Sequence, residues 1–148
     1  MTLIPLDPPL SVAGQITPED FPTLKAQGVT TIINNRPDDE EAGQMDSGRA
    51  SALAAEHGMD YHYVPVTSAT MTDQAVATFA EALAEARAKG GGVVAHCRSG
   101  TRSTFLWAMA EAGAGRDIDD LVSKAAAAGY DISPARPRLE QIRSHPRS

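Results

Sequence analysis

The stretch VVAHCRSGTRS, residues Val93 to Ser103, decides the fold class of this chain. Val93 to Ala95 is a short apolar run that predicts a buried strand. Arg102 to Ala112 carries an apolar stripe at helical spacing and predicts a helix, and a tight loop with one glycine joins the two. In α/β sheets, loops at the carboxyl ends of strands commonly form ligand sites. The stretch therefore predicts an α/β fold with a candidate site in this loop.

The loop opens with Cys97 and closes with Arg102, with four residues between them. Backbone N–H groups wrapped at a helix N-terminus form a positively polarised nest, and a nearby guanidinium adds to that field. Both favour the charged form of a thiol, so we expect Cys97 to be a thiolate nucleophile. Arg102 is suited to hold two oxygens of a tetrahedral anion, and Ser103 to offer its hydroxyl to the thiolate. The remaining candidate substrate-binding residues are the loop members Arg98, Ser99, Gly100 and Thr101.

The structural alternative is that Cys97 is a small buried hydrophobe and Gly100 to Ser103 an ordinary helix start. That reading does not require Gly100, Arg102 and Ser103 together after a His-Cys pair, so we favour the catalytic interpretation.

Outside this stretch, strands and helices alternate along the chain. The predicted strands are Ser11 to Gln15, Val29 to Ile33 and Tyr61 to Val66. The first predicted helix begins at Thr17 and ends at Gly28. Further predicted helices cover Ser47 to His57, Thr72 to Lys89, Ile118 to Ala128 and Pro137 to Ser144. This order predicts one domain over residues 1–148, with a mostly parallel central sheet flanked by helices.

Length and charge narrow the function classes. A chain of 148 residues and 15.6 kDa suits one domain, and its net charge of -6 argues against nucleic-acid binding. A single cysteine forms no intramolecular disulfide and no cysteine zinc cluster, and the histidines show no metal-ligand spacing, so we expect neither metal nor cofactor. With no membrane-length apolar stretch and no signal-peptide pattern, the chain is expected to be cytoplasmic and not membrane-bound.

The His-Cys pair, Arg102 and Ser103 resemble the signature of cysteine-dependent phosphatases of the dual-specificity kind, which implies their fold. The interval between Cys97 and Arg102 is one residue shorter than theirs and instead resembles the active loop of single-domain rhodaneses. Together with Gly14 to Asp20 and Thr31 to Asp38, the loop resembles the bacterial beta-lactamase-hydrolase-like family. That resemblance implies a role in sulfide and persulfide metabolism and, as a partner, a persulfide dioxygenase.

Two chemistries compete for the same loop. A phosphatase needs an acid to protonate a poor leaving group, and Thr67 to Thr70, where that acid is expected, contains none. Transfer of sulfur from thiosulfate needs no acid, because sulfite leaves as a stable anion. The leading hypothesis is therefore a rhodanese-like sulfurtransferase that passes sulfur from a small anionic donor through a Cys97 persulfide to a thiol or cyanide. The alternatives are a phosphatase using Cys97 and Arg102, with Asp38, Asp39 or water as proton donor, and a catalytically silent anion-binding or persulfide-relay module.

Other side chains have two interpretations each. Arg36 is either a second anion contact or a surface arginine paired with Asp38 or Glu40. Arg98 either recruits an anionic substrate or is merely solvated. His96 is expected to be a buried, hydrogen-bonded residue rather than a base, because strand neighbours point to opposite faces. A basic C-terminal segment either attracts anions or a partner or is solvated, and it contains Arg136, Arg138, Arg143 and Arg147.

Overall fold

A computed structural model describes residues 1–145 of the chain, so Arg147 lies outside the described part. Five strands form one sheet in the order β1-β2-β5-β3-β4. The strands β2 (Leu10–Ala13), β5 (Gly92–His96), β3 (Val29–Asn34) and β4 (Asp60–Tyr63) run parallel, and β1 (Ile4–Asp7) pairs antiparallel with β2 at the edge. The predicted α/β fold with a mostly parallel sheet is confirmed.

Helices cover both faces of the sheet. One apolar cluster joins α1 and α2 to the sheet through Phe21, Leu24 and Ala54, and the other includes residues of the four later helices. The helices are α1 (Asp20–Ala26), α2 (Ser47–Glu56), α3 (Asp73–Lys89), α4 (Thr101–Gly113), α5 (Ile118–Ala127) and α6 (Arg136–Ser144), with a 3-10 turn at Ser133–Ala135. The site-bearing helix α4 is buried along nearly its whole length.

Strand β5 lies at the centre of the sheet and contacts both apolar clusters. Val93 and Ala95 belong to the cluster beneath α3 and α4, whereas Val94 faces the cluster beneath α1 and α2. The same alternation places Ile32 and Ile33 of β3 on opposite faces. Apolar side chains pointing in both directions are typical of a parallel strand covered on each side, so both strands are fixed in register.

The sequence did not predict the edge strand β1, because the prolines in the first ten residues indicated an irregular segment. Pro5 lacks a backbone N–H, but an edge strand has a side that needs no donor, so proline is tolerated there. Other boundaries differ by a few residues. The first helix begins at Asp20 rather than after Thr17, since Thr17 and Asp20 form a hydrogen-bonded turn before it. The fourth strand ends at Tyr63 rather than Val66.

A partly buried ion cluster joins β1 to the helices. One carboxylate oxygen of Asp7 accepts hydrogen bonds from Trp107 Nε1 at 3.1 Å, Arg116 Nη1 at 2.6 Å and Arg87 Nη2 at 3.2 Å. Burial opposes ionisation of Asp7, but the bonds from Arg116 and Trp107 and the nearby arginine charges outweigh it, so the pKa of Asp7 is lowered. The ionised Asp7 therefore joins the edge strand to α3 and α4.

Residues 1–145 include no membrane-length apolar helix and no metal-binding cluster. None of the helices there is long and apolar enough to cross a bilayer. Within that same range, no three His, Cys, Asp or Glu side chains are grouped so that they would hold a metal ion.

Candidate active site

The loop after β5 wraps around the sulfur of Cys97. Cys97 is buried, and its Sγ accepts a hydrogen bond from the backbone N–H of Gly100 at 3.1 Å. Gly100 has a φ of 91°, a left-handed conformation that glycine adopts without strain, and α4 begins at the next residue. The sulfur thus lies at the N-terminus of a 13-residue helix, where the helix dipole favours negative charge.

Gly14, at the end of β2, allows the loop to approach the sheet closely. A Cβ atom added there would lie 2.8 Å from the carbonyl oxygen of Arg98, closer than real Cβ contacts come. The neighbouring residue Ala13 accepts a hydrogen bond from the Cys97 N–H at 3.4 Å. The loop therefore rests directly on the backbone of β2, and any side chain at position 14 would push it away.

Arg102 is held in place by a carboxylate and a carbonyl. Its Nη1 and Nη2 donate to the two oxygens of Glu40, each at 2.9 Å, and Nη1 also donates to the carbonyl oxygen of Val66 at 2.9 Å. These bonds do not involve Nε. The pKa of Arg102 is raised, chiefly by the hydrogen bonds to Glu40 and also by the charge of Cys97. Arg102 thus stays cationic and lies within electrostatic reach of the thiol.

Arg36 is buried, with 3% of its surface exposed, and pairs with Glu40, so the alternative of a surface arginine does not describe it. Its Nε donates to Glu40 at 2.9 Å, and its Nη1 donates to the Gln15 side-chain oxygen at 3.0 Å. Nη2 has no hydrogen-bond partner among the described residues, and the Glu41 carboxylate is 4.0 Å away. A single carboxylate, Glu40, therefore bridges Arg36 and Arg102.

Glu40 is a fixed anion and not a proton donor. The hydrogen bond from Arg102 is the largest cause of its lowered pKa; burial opposes this shift, and the bond from Arg36 adds to it. A carboxyl group with a lowered pKa is ionised at neutral pH and has no proton to give. Its role in this geometry is to orient the arginine that closes the loop.

The other loop members point in different directions. Arg98 is exposed, and its Nη2 lies 3.5 Å from Glu41. The carbonyl of Ser99 accepts a hydrogen bond from the Tyr130 hydroxyl at 2.8 Å, and the hydroxyls of Ser99 and Thr101 are 3.0 Å apart. The pKa of Tyr130 is raised, first by burial and then by the charge of Cys97. Tyr130 therefore steadies the outer side of the loop.

Ser103 is buried behind the loop, but its hydroxyl does not donate to the sulfur. It donates to the side-chain oxygen of Asn35 at 2.7 Å, and Asn35 in turn donates to the carbonyl of Val64 at 3.0 Å. The Asn35 N–H also donates to the carbonyl of His96 at 2.7 Å. Ser103 thus ties the start of α4 to the ends of β3 and β5.

His96 is buried, as the strand alternation predicts, with 2% of its surface exposed. Burial lowers the pKa of His96 to about 4, against a hydrogen bond to the Cys97 backbone that raises it. The imidazole is therefore neutral at physiological pH. His96 is the last residue of β5 and directly precedes Cys97.

Of the two aspartates expected as replacement acids, Asp38 is engaged in hydrogen bonds and Asp39 is exposed. Asp38 accepts hydrogen bonds from the N–H of Ser47 at 2.8 Å and from its hydroxyl at 2.7 Å, at the start of α2. Asp39 is an exposed residue with a φ of 64°. The segment from Thr67 to Thr72 contains no carboxylate, and Asp73 is 96% exposed and directed to Arg138. In the described part of the chain, the segment after β4 thus holds no carboxyl group before Asp73, and Asp38 is bound to the start of α2.

Three supporting residues escaped the sequence analysis. Glu40 was considered only as a partner of Arg36, at i,i+4 spacing, and not as a partner of Arg102. Asn35 follows a buried strand but has no motif of its own. Tyr130 lies 31 residues from Ser99 along the chain and gave no signal.

The sequence of the chain is similar to that of known bacterial proteins. The family model for the phosphatase-like domain of beta-lactamase hydrolase-like proteins matches residues 3–114. The chain is 39% identical over 145 residues to a beta-lactamase hydrolase-like protein of Agrobacterium fabrum, covering 95% of this chain and 32% of that protein. This chain therefore spans about a third of the length of the curated relatives it matches.

Solved structures share the whole architecture. A candidate phosphatase from Neisseria meningitidis is 33% identical, with a TM-score of 0.82 and coverage of 97% of this chain and 99% of the other. The phosphatase-fold protein PTPMT1 is 14% identical, with a TM-score of 0.77 and coverage of 97% and 95%. At that identity the second likeness shows the fold alone, and that fold is the one implied by the resemblance to dual-specificity phosphatases.

Proposed function

The chain belongs to the beta-lactamase hydrolase-like family, as its phosphatase-like domain, and on that premise we propose that it is a cysteine-dependent phosphatase acting on aryl phosphate monoesters. The observation that carries the proposal is the hydrogen bond from the Gly100 N–H to the sulfur of Cys97, in a loop closed by an oriented Arg102. The proposal ranks the phosphatase hypothesis above the sulfurtransferase hypothesis, which led in the sequence analysis, because the relatives and the fold favour phosphate over sulfur chemistry.

The reaction proceeds in two displacements. The Cys97 thiolate attacks phosphorus, an S–P bond forms as the ester P–O bond breaks, and the leaving oxygen departs with the electron pair as a phenolate. Water then attacks the phosphocysteine, which releases inorganic phosphate and restores the thiolate. The loop N–H groups and Arg102 hold the equatorial oxygens, on which negative charge is concentrated.

The leaving group is restricted because Thr67 to Thr70, the expected position of a general acid, contains no carboxyl group. Asp38 is bound to the start of α2, and Glu40 is ionised and held between two arginines. An alkoxide needs a proton as it leaves, whereas a phenolate is far more stable without one. The proposed substrates are therefore phosphate esters of phenols rather than of simple alcohols.

Hydrolysis rates for esters of graded leaving-group acidity test this function. We expect 4-nitrophenyl phosphate to be cleaved much faster than phenyl phosphate, and alkyl phosphates scarcely at all. Cys97→Ser should abolish turnover, and Arg102→Lys should lower kcat/KM about a hundredfold, because it loses a planar donor pair. The matched control is Arg49→Lys on the exposed face of α2. Equal rates for aryl and alkyl esters, or activity in Cys97→Ser, would refute the proposal.

Sulfur transfer is the second candidate, and the observation that favours it is that Thr67 to Thr70, the expected position of a general acid, contains no carboxyl group. The thiolate would attack the outer sulfur of thiosulfate, forming an S–S bond while sulfite leaves with the electron pair of the broken bond. A thiol or cyanide would then take the sulfur. Mass spectrometry after thiosulfate treatment tests this candidate: a gain of one sulfur on Cys97 supports it, and an unchanged mass contradicts it. The persulfide dioxygenase partner remains a prediction tied to this candidate.

A further inference from the structure

A groove of about 370 Å³ opens beside Arg102, between α4, the segment after β4 and the 3-10 turn before α6. We call it the α4 groove. Its walls are mainly apolar and are formed by Met71, Phe105, Met109, Pro134 and Ala135. This volume lies within the range of roughly 300 to 1,000 Å³ that small-molecule sites occupy. The groove is therefore large enough for an organic group and chemically suited to an apolar one.

The α4 groove is continuous with the candidate active site. Thr101 and Arg102 belong to its wall and also to the loop and helix start around Cys97. A ligand whose anion is held by the loop N–H groups would thus have Arg102 at the boundary and the apolar walls beyond it. The part of a phosphate ester that extends away from the phosphoryl group is its leaving group.

A second cation lies at another border of the groove. Arg138 lines both the α4 groove and the neighbouring cavity, which Asp73 and Gln141 also line. Its ion pair with Asp73 has an N···O distance of 3.4 Å, and the Asp73 side chain is 96% exposed. Exposed pairs of this kind contribute little, so Arg138 exchanges Asp73 for another anion at small cost.

We propose that the α4 groove is the leaving-group subsite and that it binds an aromatic body carrying a second anionic group, which pairs with Arg138. The inference rests on the proposed function, because it places the phosphoryl group over Cys97. It also narrows the substrate class: an aryl phosphate with an acidic substituent fits the groove better than an uncharged one.

Binding of non-hydrolysable phosphonates separates this subsite from catalysis. NMR titrations of the protein with methyl-, ethyl-, propyl- and butylphosphonate should show Kd falling about fourfold per added methylene. Ser68, in the segment after β4, also lines the groove. Ala135→Phe and Ser68→Phe each fill the groove and should make Kd nearly the same across the series, while the methylphosphonate Kd stays unchanged. Ala52→Phe, on the exposed face of α2, is the matched control and should keep the wild-type fall in Kd from methyl- to butylphosphonate.

Arg138 is tested with phenylphosphonate and its 4-carboxy derivative. The carboxylate should tighten binding roughly threefold in the wild-type protein, the scale of an exposed ion pair. Arg138→Gln should remove this preference, and Arg49→Gln should retain it. A carboxylate preference that persists in Arg138→Gln, or that is absent from the wild-type protein, would overturn the role of Arg138.

The outcomes distinguish the subsite from the proposed function. A constant Kd from methyl- to butylphosphonate would overturn the subsite and leave the phosphatase assignment intact. A falling Kd in a protein that hydrolyses no aryl phosphate would support the subsite and overturn the function. No binding of any phosphonate would overturn both.

Discussion

Gly14→Ala is the substitution whose consequences the structure specifies most closely. The added Cβ would lie 2.8 Å from the carbonyl oxygen of Arg98, whereas ordinary Cβ contacts begin at 3.4 Å. The obstructing atom belongs to the backbone of the active loop and not to a flexible side chain. The loop must therefore move by about 0.6 Å, the difference between those two distances, or the strand must shift by the same amount.

The size of the effect follows from this displacement. Misplacing catalytic groups by about 1 Å costs on the order of a hundredfold in rate, so a shift of about 0.6 Å should lower kcat/KM by roughly tenfold. Overpacking costs about 1 to 3 kcal/mol, partly offset by about 0.4 to 1 kcal/mol from the less flexible unfolded chain. The net loss of about 1 kcal/mol corresponds to a fall in Tm of about 3 °C.

Two measurements and one control check this prediction. Hydrolysis of 4-nitrophenyl phosphate gives kcat/KM, and thermal unfolding gives Tm. Gly48→Ala in α2 is the matched control, because the one atom within 4 Å of its added Cβ is Asp46 Oδ1 at 3.3 Å, a side-chain atom only about 0.1 Å inside the ordinary range. It should leave kcat/KM unchanged and should not lower Tm. If Gly14→Ala behaved like this control, the close contact between β2 and the loop would not exist.

Three further substitutions test separate parts of the account. Glu40→Gln removes the charge that orients Arg102, so kcat/KM should fall about tenfold with little change in Tm; unchanged kinetics would contradict the orienting role. Tyr130→Phe removes the hydroxyl bonded to Ser99 and should lower the free energy of unfolding, measured in urea, by about 1 kcal/mol. Equal stability of the two proteins would show that this bond contributes nothing. Asp7→Asn should cost about 2 kcal/mol at neutral pH. Because the pKa of Asp7 is lowered on folding, its contribution is present above the ordinary value of 3.8 and disappears as pH falls through the lower folded value. Urea titrations of both proteins at several pH values should therefore converge in strong acid, and a difference that grew as pH fell would contradict this assignment.

The parts of the fold that could be predicted were encoded locally. Val29 to Ile33 is β-branched throughout and became the inner strand β3, and Thr72 caps α3 as its position before Asp73 indicated. The site loop was predictable for the same reason. Cys97, Gly100 and Arg102 follow one another between a strand and a helix, so sequence order alone brings them together.

The parts that could not be predicted depend on contacts distant in sequence. Strand β1 is stabilised by pairing with β2 and by the Asp7 cluster, and neither is visible in a proline-rich segment. Ser103 was expected at the sulfur, but Asn35, 68 positions earlier, takes its hydroxyl. Glu40 reaches Arg102 across 62 positions, and no local pattern marks that bond. The placement of Cys97 and Arg102 in one loop was thus foreseeable, but the residues that hold them there were not.

The central claim is that Cys97 carries the phosphoryl group during turnover, and rapid-quench mass spectrometry of the intact protein tests it most directly. During hydrolysis of 4-nitrophenyl phosphate, the account predicts a transient mass gain of one phosphoryl group on Cys97, absent from Cys97→Ser. Hydrolysis without that intermediate, or a protein that gains sulfur from thiosulfate but never a phosphoryl group, would contradict it.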